Sequence, residues 1–158
     1  MTNASGGGAA FADLWAAAVS LAVLPLTLAP SSWFGMWTYN AAKSTTAAGP
    51  FPFKRATCRI EPWEEGVRIT YDLVRVRGGI THLEWTGKFD GADYPVQGVE
   101  VVVTNAYRRV DDRTYEVVQK VDGEVSVTAR MAVSPDGKTL TTVTSVQNGQ
   151  TTTVFDRM

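Results

Sequence analysis

The chain has 158 residues, with 15 Lys and Arg against 16 Asp and Glu, one His, one Cys and 44% hydrophobic residues. That is enough for one domain around one core. A net charge of −1 supplies no field to draw phosphate, so no nucleic-acid partner is expected. The single cysteine, Cys58, excludes an internal disulfide. With one histidine beside it, it also excludes an ordinary zinc site, so no metal or cofactor is expected.

The first fifty residues hold only two charges, Asp13 and Lys43. Met1–Ala10 is small, polar and Gly-rich. Leu14–Ala29 is then almost unbroken in its apolar character. As a helix it would be about 24 Å long, short of the roughly 30 Å core of a bilayer. An apolar stretch followed by small residues reads as a secretory signal cut near Ser31, which would make the protein exported, periplasmic or extracellular. Against that, no Lys or Arg precedes the run, and Pro30 blocks a cut after Ala29. An N-terminal apolar helix that touches a membrane, a partner or the domain itself is the other reading. Residues 1–31 therefore form one unit of the sequence and 32–158 the folded domain. Trp33–Tyr39 reads as a short aromatic strand, and Ala41–Pro52 as an irregular connection.

From Phe53 onward the hydrophobic period is two. Val67, Ile69, Tyr71 and Leu73 alternate with Arg68, Thr70 and Asp72. Leu83, Trp85 and Phe89 alternate with His82, Glu84 and Lys88. The same pattern runs through Val99, Val101, Val103 and Tyr107, then Tyr115, Val117 and Val121, then Val125, Val127, Ala129, Met131 and Val133. Successive strand side chains point to opposite faces, so each strand has one apolar and one polar face. Thr139–Val146 and Thr151–Arg157 are strands by propensity, with faces the pattern leaves open.

Gly-containing turns punctuate the strands: Glu65-Gly66, Gly78-Gly79, Asp90-Gly91, Asp122-Gly123, Asp136-Gly137 and Asn148-Gly149. Such residues tolerate the positive φ of tight hairpins. With no helix between them for a crossover, the strands must be sequential and antiparallel. Eight to ten of them form an all-β, up-and-down antiparallel barrel, since closure removes exposed edges and leaves room for side chains or one small ligand.

The residues sharing apolar faces are the candidate ligand-binding set: Tyr71, Leu83, Trp85, Val101, Val103, Tyr107, Tyr115, Val117, Val127 and Met131. Rings give contact area, and phenol and indole hydrogens can meet a polar ligand group. His82 is the only group that ordinarily titrates near neutrality, but it shares a polar face with Glu84 and Lys88 and reads as solvated. Cys58 reads as buried and inert. Asp90–Gly98 lacks the oxygen donors of a calcium loop, and Asp111-Asp112-Arg113 is a charged hairpin. No catalytic residue emerges.

Gly35-Met36-Trp37 on the first strand, ahead of an antiparallel meander, resembles the Gly-x-Trp signature of lipocalins and the wider calycin group. The chain is similar, in particular, to bacterial, mostly exported lipocalin-like proteins whose function is unassigned. The phrases that carry this are Gly35-Met36-Trp37 through Ala42-Lys43-Ser44, Phe89–Gly98, and Val133–Leu140, over about residues 33–158. The resemblance implies a structural clamp in which Arg157 packs over Trp37 at the closed end of the barrel. It departs from the broader pattern in having no disulfide and no further lipocalin motifs in the closed-end loops.

The expected function is non-catalytic binding of a small hydrophobic or amphipathic molecule, or a lipid, inside the barrel. Two alternatives stand beside it. One is an isomerase or cyclase that uses Tyr71, His82, Tyr107 and Arg130 as convergent polar groups. The other is a structural or assembly module tethered through Leu14–Ala29.

Overall fold

The period-two segments become strands joined by tight turns. A computed structural model describes residues 31–47, 49–146 and 149–158. The apolar run Leu14–Ala29, expected as a signal or an N-terminal helix, lies outside them. The strands are β1 (Gly35–Tyr39), β2 (Thr45–Thr46), β3 (Phe53–Trp63), β4 (Gly66–Arg75), β5 (Ile80–Gly87), β6 (Tyr94–Gln97), β7 (Val103–Arg109), β8 (Thr114–Val121), β9 (Glu124–Val133), β10 (Thr139–Val146) and β11 (Gly149–Arg157).

All pairings are antiparallel. From β3 onward each strand pairs with the next in sequence, and β1 pairs with both β3 and β11. Ten strands thus close an all-β barrel with few helical residues, and closure satisfies the backbone groups an open sheet would leave at its edges. β2 lies along β11, with Thr45 and Thr46 opposite Thr152 and Thr151.

Between β1 and β2 the chain makes a 3-10 turn at Ala41–Lys43. Asn40 caps it by accepting from the Lys43 backbone N–H at 3.1 Å, a satisfied orphan donor of the kind an Asn cap supplies. Asn40 Nδ2 and Lys43 Nζ both donate to the Asp156 carboxylate, at 2.6 and 2.9 Å. Ser44 Oγ accepts from the Val154 backbone N–H at 2.9 Å. The turn is therefore fastened to the outside of the last strand.

Strand register fixes which side chains face inward. Trp37 lies opposite Cys58, Cys58 opposite Tyr71, and Tyr71 opposite Leu83. Trp37 and Cys58 are fully buried, so this rung points into the barrel. On the other wall Tyr107 faces Val117, and Val117 faces Ala129, all three buried.

The core is concentrated at one end. Trp33 meets Tyr115 edge-on with ring centroids 5.2 Å apart, and Phe89 at 6.0 Å. Phe89 stacks on Tyr107 at 4.7 Å, and Tyr107 meets Trp85 at 4.6 Å. Each ring removes about 150–250 Å2 from water, roughly 4–6 kcal/mol of gross apolar burial. This cluster plugs the barrel at the end where β1 begins and β11 finishes.

Two features depart from the alternating pattern. Val99 and Val101 are not on a strand. At Gly98 the backbone takes φ +91°, and a Cβ there would lie 2.1 Å from the His82 carbonyl oxygen. The chain leaves the sheet at this point, and β7 begins only at Val103. Val125 also faces outward, because a register shift at Gln119/Lys120 sets it opposite Lys120 rather than on the Val127 face. A bulge of this kind reverses the face of the residues beyond it.

Candidate functional site

The expected binding residues divide by depth. Trp85, Tyr107, Tyr115, Val117 and Met131 are buried in or against the ring cluster. Val103 is buried near the top of β7. Tyr71, Leu83 and Val127 point inward by register yet remain partly accessible. Val101 is in the loop before β7 and exposed to solvent, so it lines nothing inside; the Gly98 turn has carried it out of the wall.

Partial accessibility recurs on nearly every inward position above the rings. Val96 on β6, Asn105 on β7, Gln119 on β8, Thr142 and Thr144 on β10 and Thr153 on β11 are neither buried nor fully exposed. Inward side chains are thus most tightly packed at the ring end, and several in the other half stay only partly buried.

The polar groups on this inner wall were legible only in part. Asn105 is two residues before Tyr107 and Gln119 two after Val117, so period two places them on the same wall. Gln119 Nε2 donates to Asn105 Oδ1 at 3.3 Å. Trp85 Nε1 donates to the Asn105 carbonyl oxygen at 3.2 Å. Thr142 and Thr144 follow Leu140 with the same parity.

Cys58 and the two inner tyrosines are electrostatically isolated. Burial pushes the Cys58 thiol up to about 12, against which a hydrogen bond donated by the Tyr71 hydroxyl works in the opposite direction. Burial, with Cys58 nearby, also holds the Tyr71 and Tyr107 phenols above their ordinary value. All three stay neutral across the physiological range, so below the rim the wall offers hydroxyl, thiol and amide groups rather than charges.

The mouth is different. A cleft of about 790 Å3 opens there between Phe51, Phe53, Leu73, Val76, Arg75 and Arg77. Tyr39 meets Phe53 at 5.0 Å and Phe51 at 5.6 Å, which forms one aromatic wall. Arg75 Nε donates to Thr81 Oγ1 at 2.7 Å across the top of β4 and β5.

Trp37 and Arg157 lie at the opposite end and are register partners across the closing seam. The Arg157 guanidinium carbon sits 4.1 Å from the centre of the Trp37 ring. Its Nε donates to the Gly137 carbonyl oxygen at 2.6 Å and Nη1 to the Phe34 carbonyl oxygen at 2.8 Å, while Nη2 donates to the carbonyl of Ser32. One side chain thereby ties the first strand, its preceding turn and the β9–β10 hairpin together.

His82 is on the outer face, its Nδ1 2.7 Å from Asp72 Oδ1 and both side chains more than half exposed. Together with Met36, Thr57, Arg59 and Glu84 they border a shallow polar depression of about 290 Å3 on the barrel's outside. Arg130 is exposed and lies opposite Glu116 and Val143. Neither converges with Tyr71 and Tyr107, so the four polar groups considered for isomerisation do not share a chamber.

A closed ten-stranded antiparallel barrel, plugged by rings at one end, is calycin-like in fold. No family model matches the chain, and no curated protein matches it. Among solved structures, a point mutant of the fluorescent protein UnaG aligns with 80% of this chain and 96% of its own, at a TM-score of 0.56 and 14% identity. At that identity the likeness is one of fold.

Proposed function

We propose that the protein binds one small hydrophobic or amphipathic molecule in the hollow half of its barrel, without transforming it. The observation that supports this is the ring of inward yet accessible side chains around Tyr71, Leu83, Val127 and Thr153. The likeness to a calycin-type barrel points the same way. Removing about 300 Å2 of ligand apolar surface from water contributes roughly 7 kcal/mol before ordering costs. Neutral hydroxyl and amide groups on the wall then favour a ligand with hydrogen-bonding atoms along an apolar body.

An exported setting for this binding is part of the proposal, and the apolar run Leu14–Ala29 supports it.

The test is titration of the full chain with an environment-sensitive lipophilic dye, followed by competition with single-chain lipids. Saturable one-to-one binding, displaced by lipid and abolished by Val127→Trp, is expected. A dye response that does not saturate, or that survives Val127→Trp unchanged, contradicts the reading.

A further inference from the structure

The inward row of β4, Ile69, Tyr71 and Leu73, continues by period two to Arg75 at the end of the strand. Arg75 lines the cleft at the barrel mouth together with Phe51, Phe53 and Leu73. On β5 the position opposite Leu73 is Thr81, which accepts from Arg75 Nε at 2.7 Å. Arg77 follows two residues on and lines the same cleft.

These two arginines differ from those that the sheet pairs off. Arg68, Arg108 and Arg109 each meet a carboxylate. Among the described residues, neither Arg75 nor Arg77 has an acidic partner, and no carboxylate lines the cleft. The bond to Thr81 uses only Nε, which leaves both Nη groups of Arg75 for an incoming oxyanion.

The cleft is also held in shape. The Val76 backbone N–H donates to the Pro52 carbonyl oxygen at 3.1 Å and so joins its two walls. The Arg75 N–H donates to the Gly79 carbonyl oxygen at 3.0 Å, which fixes the turn that carries Arg77. Phe53 meets Tyr39 at 5.0 Å, Tyr39 meets Phe155 at 6.0 Å, and Phe155 meets Tyr71 at 6.2 Å. A line of ring contacts thus runs from the cleft to the inner wall. That wall is neutral, so an ionised group buried against it would lose its hydration without gaining a counter-charge. At the mouth, by contrast, a guanidinium offers an oxyanion two parallel donors.

We infer that the ligand is an amphipathic anion, with an apolar tail against Leu73 and the rings and an oxyanion head held at the mouth by Arg75 and Arg77. The inference rests on the binding reading above and adds to it the charge and the orientation of the ligand.

The test displaces the lipophilic dye from the full chain at neutral pH with decanoate or with decanol, which have tails of equal length. Both are used below the concentrations at which they aggregate. Decanoate is expected to compete about fivefold more tightly, as two exposed ion pairs allow. Arg75→Gln with Arg77→Gln is expected to remove that preference and to leave decanol competition unchanged, which also shows the variant folded. Arg113→Gln with Lys138→Gln, at the other end of the barrel, is expected to keep the preference. Equal competition by the two probes would leave the binding reading standing and overturn the inference. A preference that survives the loss of Arg75 and Arg77, or that disappears with Arg113 and Lys138, would place the head elsewhere and overturn it too. Displacement by neither probe would remove the binding reading itself, and the inference with it.

Discussion

A methyl group added to Gly35 would lie 2.6 Å from Nη1 of Arg157. The glycine of the Gly35-Met36-Trp37 phrase is there because the guanidinium passes directly over it on the way to Trp37 and the Phe34 carbonyl. Gly35 also adopts φ +141°, a backbone region that side-chain-bearing residues rarely occupy. The short signature is therefore one device: glycine makes room, tryptophan supplies the ring, and an arginine over 120 residues later closes the seam.

Gly35→Ala is expected to lower stability by about 2 kcal/mol, through backbone strain and displacement of the guanidinium. Arg157→Ala is expected to cost about 2 kcal/mol, because it leaves three partly buried carbonyls without their charged donor and the Trp37 ring without its cation. The two losses should not add. With Arg157 truncated, the steric part of the Gly35→Ala cost disappears, and a urea double-mutant cycle should show a coupling of about 1 kcal/mol. Strict additivity would mean that the two residues do not act through each other.

The Cys58 thiol gives a reporter of barrel integrity. Its folded value of about 12 lies above the ordinary 9.0, so its contribution to stability is complete below pH 9 and is lost as the pH rises toward 12. Tyr71 and Tyr107 are shifted in the same direction, which steepens the alkaline limb above pH 10. Native protein should resist a thiol reagent at pH 8 and react stoichiometrically once unfolded in urea. Fast labelling of the native chain would show that the wall beside Tyr71 opens.

The acid limb has a different origin. Hydrogen bonds from Asn40 and Lys43 hold the Asp156 carboxyl below its ordinary 3.8. Ser134 and Lys138 do the same for Asp136. Groups with depressed folded values stabilise fully above about pH 4, and their contribution fades as the pH falls through the folded value. Asn40→Ala should therefore shift the acid unfolding midpoint upward, as read by tryptophan fluorescence from pH 5 to pH 2. An unchanged midpoint would mean that the turn after β1 is not fastened through Asp156.

Much of the fold could be read from alternation alone, since most hairpins announce themselves by a change from period two to a Gly-containing pair, and the β7–β8 turn by the charged run Asp111-Asp112-Arg113. Alternation counts positions, however, and a single extra residue defeats it. Val125 belongs by pattern with Val127 and Ala129, yet the irregularity at Gln119/Lys120 turns it outward. Val101 belongs by pattern with Val103, yet Gly98 takes it off the sheet. The Thr-rich strands were silent because threonine suits either face, and only their pairing with Met131 and Ala129 shows Thr142 and Thr144 inside. The gathering of the rings at one end of the barrel was equally hidden. It depends on Trp33, which lies before the first strand and reaches Phe89 and Tyr115, both distant in sequence.

Methyl NMR during titration with a single-chain lipid reports whether a ligand enters the upper half of the barrel. Leu83 and Val127 methyls are expected to shift saturably with one equivalent of ligand, while Val133 and Leu140 beside the plug stay fixed. Saturable shifts confined to rim residues such as Val76 and Val101, with Leu83 and Val127 unmoved, would show that nothing enters the barrel and would contradict the account.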